Sequence, residues 1–347
     1  MNLLGNDEDS GDLPYCCLRD PEAFRRYELP SIDLLGIPEA SSLPMAGGTA
    51  PREVVQLAEL FQAPEFSRSE ARIPMALGRD LHGNALVKDL AELPHLIMAG
   101  STGSGKSACL HSILTSLLFH FTPRDLRLIL VDTMVSELET FQSLPHLALP
   151  MVTNPIRALQ ALRWSQEEAE RRHQLFARYG CKSLDAYIQL HHSDSEGVPS
   201  PLPPVVIIID ELANMMQIAP KDFEAAINHL CRSAAGAGIH LIMATQSPRR
   251  DILTELIRAP MKARVGFHVA SSDDSQIILD QSGAEKLVGK GDLLFLPPDS
   301  TQAIRAQGAF LTEDEIQRVV TFCSQQGSPV FDPFPKPILE EEEFTAA

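Results

Sequence analysis

The stretch 96–107, Leu-Ile-Met-Ala-Gly-Ser-Thr-Gly-Ser-Gly-Lys-Ser, decides the fold of this chain. A short apolar run precedes a loop with three glycines, and the apolar-rich segment 108–121 follows it. This order predicts a strand, a phosphate-binding loop and a helix, because Gly100 and the triplet Gly105-Lys106-Ser107 complete the spacing G-x-x-x-x-G-K-[ST]. A tight glycine turn with an incidental lysine is the alternative, but it leaves the full spacing and the flanking elements unexplained. The sequence therefore predicts a nucleotide site.

Each residue type in this loop has a physical task. Glycines let the backbone curl so that successive N–H groups point at a phosphate, and the following helix adds unsatisfied amides and its positive dipole end. Lys106 is expected to neutralise the β- and γ-phosphate oxygens of ATP, and the Ser107 hydroxyl is expected to ligate Mg²⁺. The predicted nucleotide-binding residues are Gly100, Ser101, Thr102, Gly103, Ser104, Gly105, Lys106, Ser107 and Ala108.

Composition narrows the class of protein. The 347 residues are 44% hydrophobic and 22% charged, and no run approaches the ~18 apolar residues that a membrane span needs. The N-terminus is acidic and lacks a basic signal-peptide region, and the six cysteines have no metal-ligand spacing. We therefore expect a cytoplasmic protein without a membrane segment. The net charge of −17 means that any nucleic-acid contact needs a local basic surface.

Apolar runs alternate with helical patterns along the chain. Strands are expected at 73–80, 83–89, 127–132, 205–211, 238–246, 263–269 and 292–295, and helices at 52–66, 154–179 and 221–235. Continuous apolar runs are typical of strands covered on both faces. The predicted fold class is α/β, with a doubly wound, mostly parallel sheet and a site at the carboxyl ends of its strands.

Two carboxylates follow one of these apolar runs. Asp210 is expected to hold Mg²⁺ through its water shell, and Glu211 is expected to orient and polarise the attacking water as a general base. The alternative for such acids is a helix N-cap or first-turn position. The adjacent pair favours hydrolysis over nucleotide storage.

Polar residues also end two other apolar runs. Gln246 is a candidate to hydrogen-bond the γ-phosphate or the water and so to sense hydrolysis, with a plain strand-end polar residue as the alternative. For Asp132 we leave a supporting role at the site and a structural role equally open.

Several segments besides the phosphate loop resemble the motor domain of the FtsK/SpoIIIE DNA translocases. They follow in family order from about residue 50 to 330, and 27–35 is similar to the segment that opens the cytoplasmic part of these proteins. The segments are 94–100, 143–147, 161–164, 170–172, 238–241, 244–248, 278–285 and 289–294.

The resemblance implies a RecA-like P-loop NTPase that assembles as a ring, usually a hexamer, around double-stranded DNA. ATP would lie between subunits, and a neighbouring subunit would supply an arginine to the γ-phosphate. Arg264 and Arg232 are the candidates, with a surface ion pair as the alternative for each. We predict an acidic, loosely ordered arm with residues 1–52, a reduced accessory region of short helix and strands with 53–93, the ATPase motor domain with 94–330 and a mobile acidic tail with 331–347.

Three positions depart from the family pattern, and each lacks an expected basic group. Met134 replaces the lysine of Asp-Pro-Lys, Ser247 replaces the arginine after Ala-Thr-Gln, and Gln276 stands where an arginine is expected. Three arginines are candidates to compensate: Arg249, Arg250 and Arg258. The chain is also expected to be a reduced form, without a membrane segment or a winged-helix module, so its DNA contacts would be phosphate-directed.

The sequence thus favours an ATP-dependent motor that moves along duplex DNA. Two other interpretations stay open. One is a motor of the same superfamily that moves protein, as secretion ATPases do, which the acidic composition favours. The other is a weakly hydrolysing nucleotide-binding relative, which the three departures favour.

Overall fold

The structure is a computed structural model that describes residues 23–36, 42–43, 52–192 and 202–333. Most of the predicted arm 1–52 and nearly all of the predicted tail 331–347 lie outside these ranges. The strands are β1 (Ser42–Leu43), β2 (Arg52–Glu53), β3 (Val55–Gln56), β4 (Pro74–Asp80), β5 (Ala85–Asp89), β6 (His95–Ala99), β7 (Arg127–Val131), β8 (Val205–Ile209), β9 (Ile239–Thr245), β10 (Ala263–Phe267), β11 (Asp292–Leu296) and β12 (Ile304–Phe310). The helices are α1 (Leu57–Gln62), α2 (Pro64–Ser67), α3 (Lys106–His120), α4 (Pro155–Arg178), α5 (Leu184–His192), α6 (Leu212–Ile218), α7 (Pro220–Ser233), α8 (Glu255–Arg258), α9 (Ser272–Leu279) and α10 (Glu313–Gln325).

A ten-stranded sheet organises the molecule. Its order is β5-β4-β12-β11-β10-β6-β9-β8-β7, and β3 pairs with β12. Within the described residues, the pairings from β10 through β6, β9 and β8 to β7 are parallel, as is β3 with β12. The four pairings that link β10, β11, β12, β4 and β5 are antiparallel. The predicted α/β class with a mostly parallel sheet is confirmed.

Alternating side chains of the central strands feed two cores, one on each face of the sheet. On β7, Leu128 and Leu130 pack into one core, while Ile129 and Val131 pack into the other. The first core also contains the apolar residues of α3, and the second contains those of α4, α6 and α7. Burial on both faces explains why these strands are continuous apolar runs.

Most predicted elements are present, with ends that differ by a few residues. The helix predicted over 52–66 is wrong, because this stretch forms β2, β3, α1 and α2. Val55 pairs with Ala309 of β12, and Ala63 is extended with φ −65° and ψ 142°, directly before Pro64. A residue that precedes proline is disfavoured in helical conformation, so the sequence itself contains the break. The sequence analysis did not predict several elements: β1, β12, α5, α6, α8, α9 and α10.

The predicted accessory region 53–93 and the predicted motor domain 94–330 share the sheet, because β4 pairs with β12. The described segment 23–36 lies against α10. Gln326 donates to the Glu28 carbonyl at 2.9 Å and accepts from the Glu28 N–H at 2.7 Å, and the Arg318 side chain donates to the Leu34 carbonyl at 2.9 Å. None of the helices in the described part of the chain combines the length and apolar character of a membrane span.

Candidate nucleotide site

The predicted site residues meet at the carboxyl ends of three neighbouring parallel strands. Because Ala99 of β6 pairs with Thr245 of β9, and Met243 of β9 pairs with Ile209 of β8, the three strands end almost level. The phosphate loop, Gln246 and the pair Asp210-Glu211 each follow one of these ends. The sheet register therefore brings together residues that are more than a hundred positions apart in sequence.

The phosphate loop has the backbone conformation that its glycines allow. Gly103 and Gly105 have φ values of 75° and 109°, and α3 begins directly after Gly105. Among the described residues, the N–H groups of Gly105, Lys106 and Ser107 have no hydrogen-bond acceptor. Free N–H groups at a curled loop and a helix N-terminus fit an anionic phosphate ligand.

Lys106 and Asp210 form a buried ion pair. The Lys106 Nζ lies 2.7 Å from the Asp210 Oδ1, and the two side chains are 4% and 2% exposed. Burial raises the pKa of Asp210, and the attraction of the Lys106 ammonium opposes that shift. The predicted phosphate-binding ammonium of Lys106 therefore contacts the carboxylate of Asp210, the residue directly before Glu211.

Three donors hold the Glu211 carboxylate. Oε1 accepts from the Thr245 hydroxyl at 2.6 Å and from the Ala213 N–H at 3.1 Å, and Oε2 accepts from the Gln246 N–H at 2.9 Å. Glu211 is also the N-cap of α6, so the helix-cap alternative is present in the structure together with the position expected of a general base. These contacts fix the carboxylate at the tip of β8 with both oxygens oriented by the end of β9.

Gln246 connects the phosphate loop to Glu211. Its side-chain Oε1 accepts from the Thr102 hydroxyl at 2.6 Å, while its backbone N–H donates to Glu211. A change in the phosphate loop at Thr102 is therefore two hydrogen bonds away from the Glu211 carboxylate. This arrangement suits the sensing role predicted for Gln246, which stays a prediction.

Asp132 shapes the loop that follows β7. Its buried carboxylate accepts backbone N–H groups from Met134, Ser136, Glu137 and Leu138 at 2.9–3.1 Å. Burial alone would raise the pKa of Asp132, but these four donors lower it. Of the two roles left open by the sequence, the contacts support the structural one.

The Arg264 side chain is buried and forms hydrogen bonds within its own chain. Its side chain is 8% exposed, and its guanidinium donates to the carbonyls of Met261, Ile278 and Arg258 and to the Asp280 carboxylate. These contacts lie within its own subunit and support a structural role for Arg264, while the trans-acting role expected from the sequence stays a prediction.

The arginines expected to compensate for the missing basic groups divide into two kinds. Arg258 is buried and donates to Ile277, Asp280 and Glu255, so it is a structural residue. Arg249 is exposed and pairs with Asp251. Arg250 is exposed as well. Arg232, the second candidate for the trans-acting arginine, is also exposed and donates to Asn228 at 3.0 Å, and its role stays a prediction.

The three positions that depart from the family pattern have different surroundings. Met134 is 62% exposed in the loop that Asp132 shapes, and Ser247 donates its N–H to the Thr245 hydroxyl at 3.1 Å. With its amide oriented to satisfy both neighbours, Gln276 contacts the Asp280 carbonyl and the Ser282 N–H. These contacts are local, and none of them reaches the phosphate loop.

Thr245 is a site residue for which the sequence analysis predicted no role. It lies inside the segment 244–248 that carries part of the resemblance, directly before Gln246. The available signal was its position at the last residue of a buried strand beside the strand that ends in Asp210-Glu211. Thr245 is 1% exposed, and its hydroxyl donates to Glu211.

The residues also fit a divalent cation bound together with phosphates. Within the described ranges, no group of three or more histidine, cysteine, aspartate or glutamate side chains forms a metal cage. Mg²⁺ is held by one or two protein oxygens plus substrate phosphates in nucleotide sites, and the Ser107 hydroxyl and the Asp210 carboxylate are oxygens of this kind.

The strand–loop–helix, the buried lysine–aspartate pair and the parallel sheet define the class of P-loop nucleotide-binding proteins. A sequence model of the FtsK/SpoIIIE family matches residues 56–250, and the chain belongs to this family, as its resemblance predicted. Family membership implies nucleotide binding.

A curated relative agrees with this family assignment. The chain is 44% identical over 274 residues to the DNA translocase FtsK of Clostridium acetobutylicum. The alignment covers 79% of this chain and 36% of that protein. It therefore spans about a third of the length of this curated relative.

Two solved structures share the fold. The conjugation coupling protein TcpA of pCW3 aligns with a TM-score of 0.61 at 23% sequence identity, and the alignment covers 73% of this chain and 71% of the TcpA chain. The cytoplasmic domain of the type VII secretion ATPase EccC of Thermomonospora curvata aligns with a TM-score of 0.63 at 23% sequence identity, and the alignment covers 78% of this chain and 32% of the EccC chain.

Proposed function

We propose that this protein is an ATPase motor that couples ATP hydrolysis to movement along double-stranded DNA. One observation carries the proposal: the Glu211 carboxylate is fixed by Thr245, Ala213 and Gln246 one residue beyond the buried pair of Lys106 and Asp210. The arrangement belongs to a chain whose curated relative is named a DNA translocase.

The chemistry follows from the groups present. The ATP phosphates would lie against the free N–H groups of the phosphate loop, and the Lys106 ammonium would turn from Asp210 to the β- and γ-phosphate oxygens. Glu211 would take a proton from water as the water oxygen bonds to the γ-phosphorus and the bond to the β–γ bridging oxygen breaks. The products are ADP and phosphate. Bound Mg²⁺, held by Ser107 and Asp210, would supply charge neutralisation.

Hydrolysis is expected to act on DNA through an assembly of several subunits. We infer a homo-oligomeric ring, a hexamer by family resemblance, in the cytoplasm around the duplex. The exposed Arg249 and Arg250 follow the strand end that carries Gln246, so they are candidates for phosphate contacts near the site. Such contacts would be independent of base sequence.

Steady-state ATP turnover with and without duplex DNA tests the proposal. We expect DNA to stimulate turnover, with a steep loss of DNA binding between low and moderate salt as counterions are released. The variant E211Q should lose turnover about 10²–10⁴-fold and keep ATP binding, because the amide cannot accept the proton. Turnover by E211Q at the wild-type rate, or wild-type turnover unaffected by DNA, would contradict the proposal.

The net charge of −17 favours a second candidate, a motor that moves protein. The same experiment separates the two, because a protein-moving ATPase would bind duplex DNA weakly and its turnover would not depend on added DNA.

A further inference from the structure

A second loop lies against the phosphate loop, and the proposed catalysis does not use it. We define it as the brace loop, residues 289–292, which leads into β11. The Gly291 N–H donates to the Ser104 carbonyl at 2.8 Å. A Cβ atom added to Gly105 would lie 2.3 Å from the Gly291 nitrogen, so the two backbones pack without room for a side chain.

This contact orients a peptide unit of the phosphate loop. In a trans peptide, the carbonyl of one residue and the N–H of the next point in opposite directions across one plane. The Ser104 carbonyl points at Gly291, and the described residues contain no cis peptide bond. The Gly105 N–H therefore points away from the brace loop, and it is one of the N–H groups without a protein acceptor. Rotation of this peptide would turn the donor away from a phosphate.

The brace loop has its own means of keeping its shape. Its first three residues have left-handed φ values of 77°, 52° and 88°, at Gly289, Lys290 and Gly291. Asp292 is fully buried, and both of its carboxylate oxygens accept from the Arg305 guanidinium, at 3.0 and 2.7 Å. The loop is thereby tied to β12, which is not a neighbour of the phosphate-loop strand β6.

A further backbone bond fixes the far side of Gly291. Its carbonyl accepts the Gly308 N–H at 2.7 Å, and a Cβ atom on Gly291 would lie 2.9 Å from the Gln307 Nε2. Gly291 is thus held between β12 on one side and Ser104 on the other. The left-handed φ favours glycine there, and the Gln307 side chain limits the space for a larger residue.

We propose that the brace loop sets the affinity of the phosphate loop for the nucleotide, with Gly291 as a positioning residue that holds the Ser104–Gly105 peptide with its N–H toward the phosphates. The proposal rests on the nucleotide site described above and adds a determinant about 190 residues beyond it. The ligand class is a nucleoside triphosphate, and the effect lies in binding and not in the chemical step.

The turn between β4 and β5 offers a matched control. Gly83 has a φ of 89°, close to the 88° of Gly291, and an added Cβ atom there would meet nothing within 4 Å. The variants G291A and G83A therefore carry the same left-handed backbone cost, but only G291A places a Cβ atom against a neighbour, the Gln307 side chain, and so shifts the residue whose N–H donates to Ser104. Each is purified as the full chain, and its fold is checked by circular dichroism and thermal unfolding without nucleotide.

Equilibrium binding of a non-hydrolysable ATP analogue and steady-state turnover are then measured. We expect G291A to weaken analogue binding about tenfold or more relative to G83A, with KM raised and kcat within about threefold, as for the loss of roughly one oriented hydrogen bond. Equal binding by folded G291A and G83A would overturn the proposal.

A second pair covers the case in which G291A does not fold. D292N weakens the closure of the brace loop, and D80N weakens the β4–β5 turn, where Asp80 accepts from the N–H groups of His82 and Asn84. Weaker analogue binding by D292N than by D80N supports the proposal, and equal binding overturns it. Wild-type protein that fails to bind the analogue would instead contradict the proposed function.

Discussion

The two halves of the sheet contribute to the candidate site in different ways. The parallel half, β7-β8-β9-β6-β10, supplies side chains at its strand ends: Lys106, Asp210, Glu211 and Gln246. The antiparallel half, β11-β12-β4-β5, supplies backbone, through the contact of Gly291 with Ser104. In the two proposals made above, one half provides the reacting groups, while the other keeps the phosphate loop in the shape that those groups need.

Each half also has a fully buried aspartate that organises a loop. Asp132 accepts four backbone N–H groups, whereas Asp292 accepts one, from Val288, and a two-point contact from the Arg305 guanidinium. Asp132 directly follows β7 and begins its loop, whereas Asp292 ends the brace loop and is the first residue of β11. Variants that change the chemistry without changing the fold, or the fold without the chemistry, therefore test whether the two halves have separate roles.

The largest effect on stability is expected at β10, where the two halves join. In R264A, three backbone carbonyls and the Asp280 carboxylate lose their donor, so we expect the free energy of unfolding to fall by about 2–4 kcal/mol. Turnover per folded molecule should stay within about threefold, because a residue that only shapes its own subunit makes no contact with the γ-phosphate. Chemical denaturation and ATP turnover at a temperature where the variant is folded measure both quantities.

The exposed Arg232 is the comparison residue for this test. R232A should retain wild-type stability, since an exposed side chain with one amide partner contributes little. A stable but inactive R264A would support the prediction that Arg264 acts on a neighbouring γ-phosphate.

A smaller effect, confined to the chemical step, is expected at Thr245 in the parallel half. T245V keeps the shape of the side chain and removes the hydroxyl that donates to Glu211. A hydrogen bond to a charged group contributes about 1.5–3 kcal/mol, so kcat should fall about 10–100-fold while KM is unchanged. T245S, which restores the hydroxyl, should recover most of the turnover.

Thr115 of α3 provides the matched control for T245V. It is fully buried, and within the described part of the chain its hydroxyl has no hydrogen-bond partner. T115V should therefore retain wild-type kcat. Full activity of T245V would show that the orientation of Glu211 does not depend on β9.

The sequence predicted the parallel half better than the antiparallel half for physical reasons. Strands buried on both faces are continuous apolar runs, so 205–211 was recognisable from sequence. The phosphate-loop spacing lies within a few consecutive residues, so 96–107 was recognisable as well. β12 contains Arg305, Gln307 and Gly308, and these interrupt any apolar alternation. Its partner β11 directly precedes it, but its other partners, β3 and β4, lie far away in sequence, so local pattern did not reveal it.

Two other misses have different origins. The start of α10 is marked by a capping box in which Thr312 and Glu315 bond reciprocally, and the spacing T-x-x-E was available as a signal. The burial of Arg264 was not available, because its partner Asp280 lies 16 residues away and the fold brings the two together. Charge in a sequence does not show whether a guanidinium faces solvent.

The smallest expected effect is a pH dependence of stability that originates at Asp132. Backbone donors lower the pKa of Asp132 in the folded protein below its unfolded value of about 3.9. The ionised carboxylate therefore stabilises the fold at pH values above about 3.9. This contribution is lost as the pH falls from about 5 through the lowered pKa. D132N, which has no charge to lose, should therefore show a shallower decrease in unfolding free energy over the same range. Urea denaturation of wild type and D132N at several pH values measures the difference, and parallel curves would show that the loop after β7 is held without the charge of its aspartate.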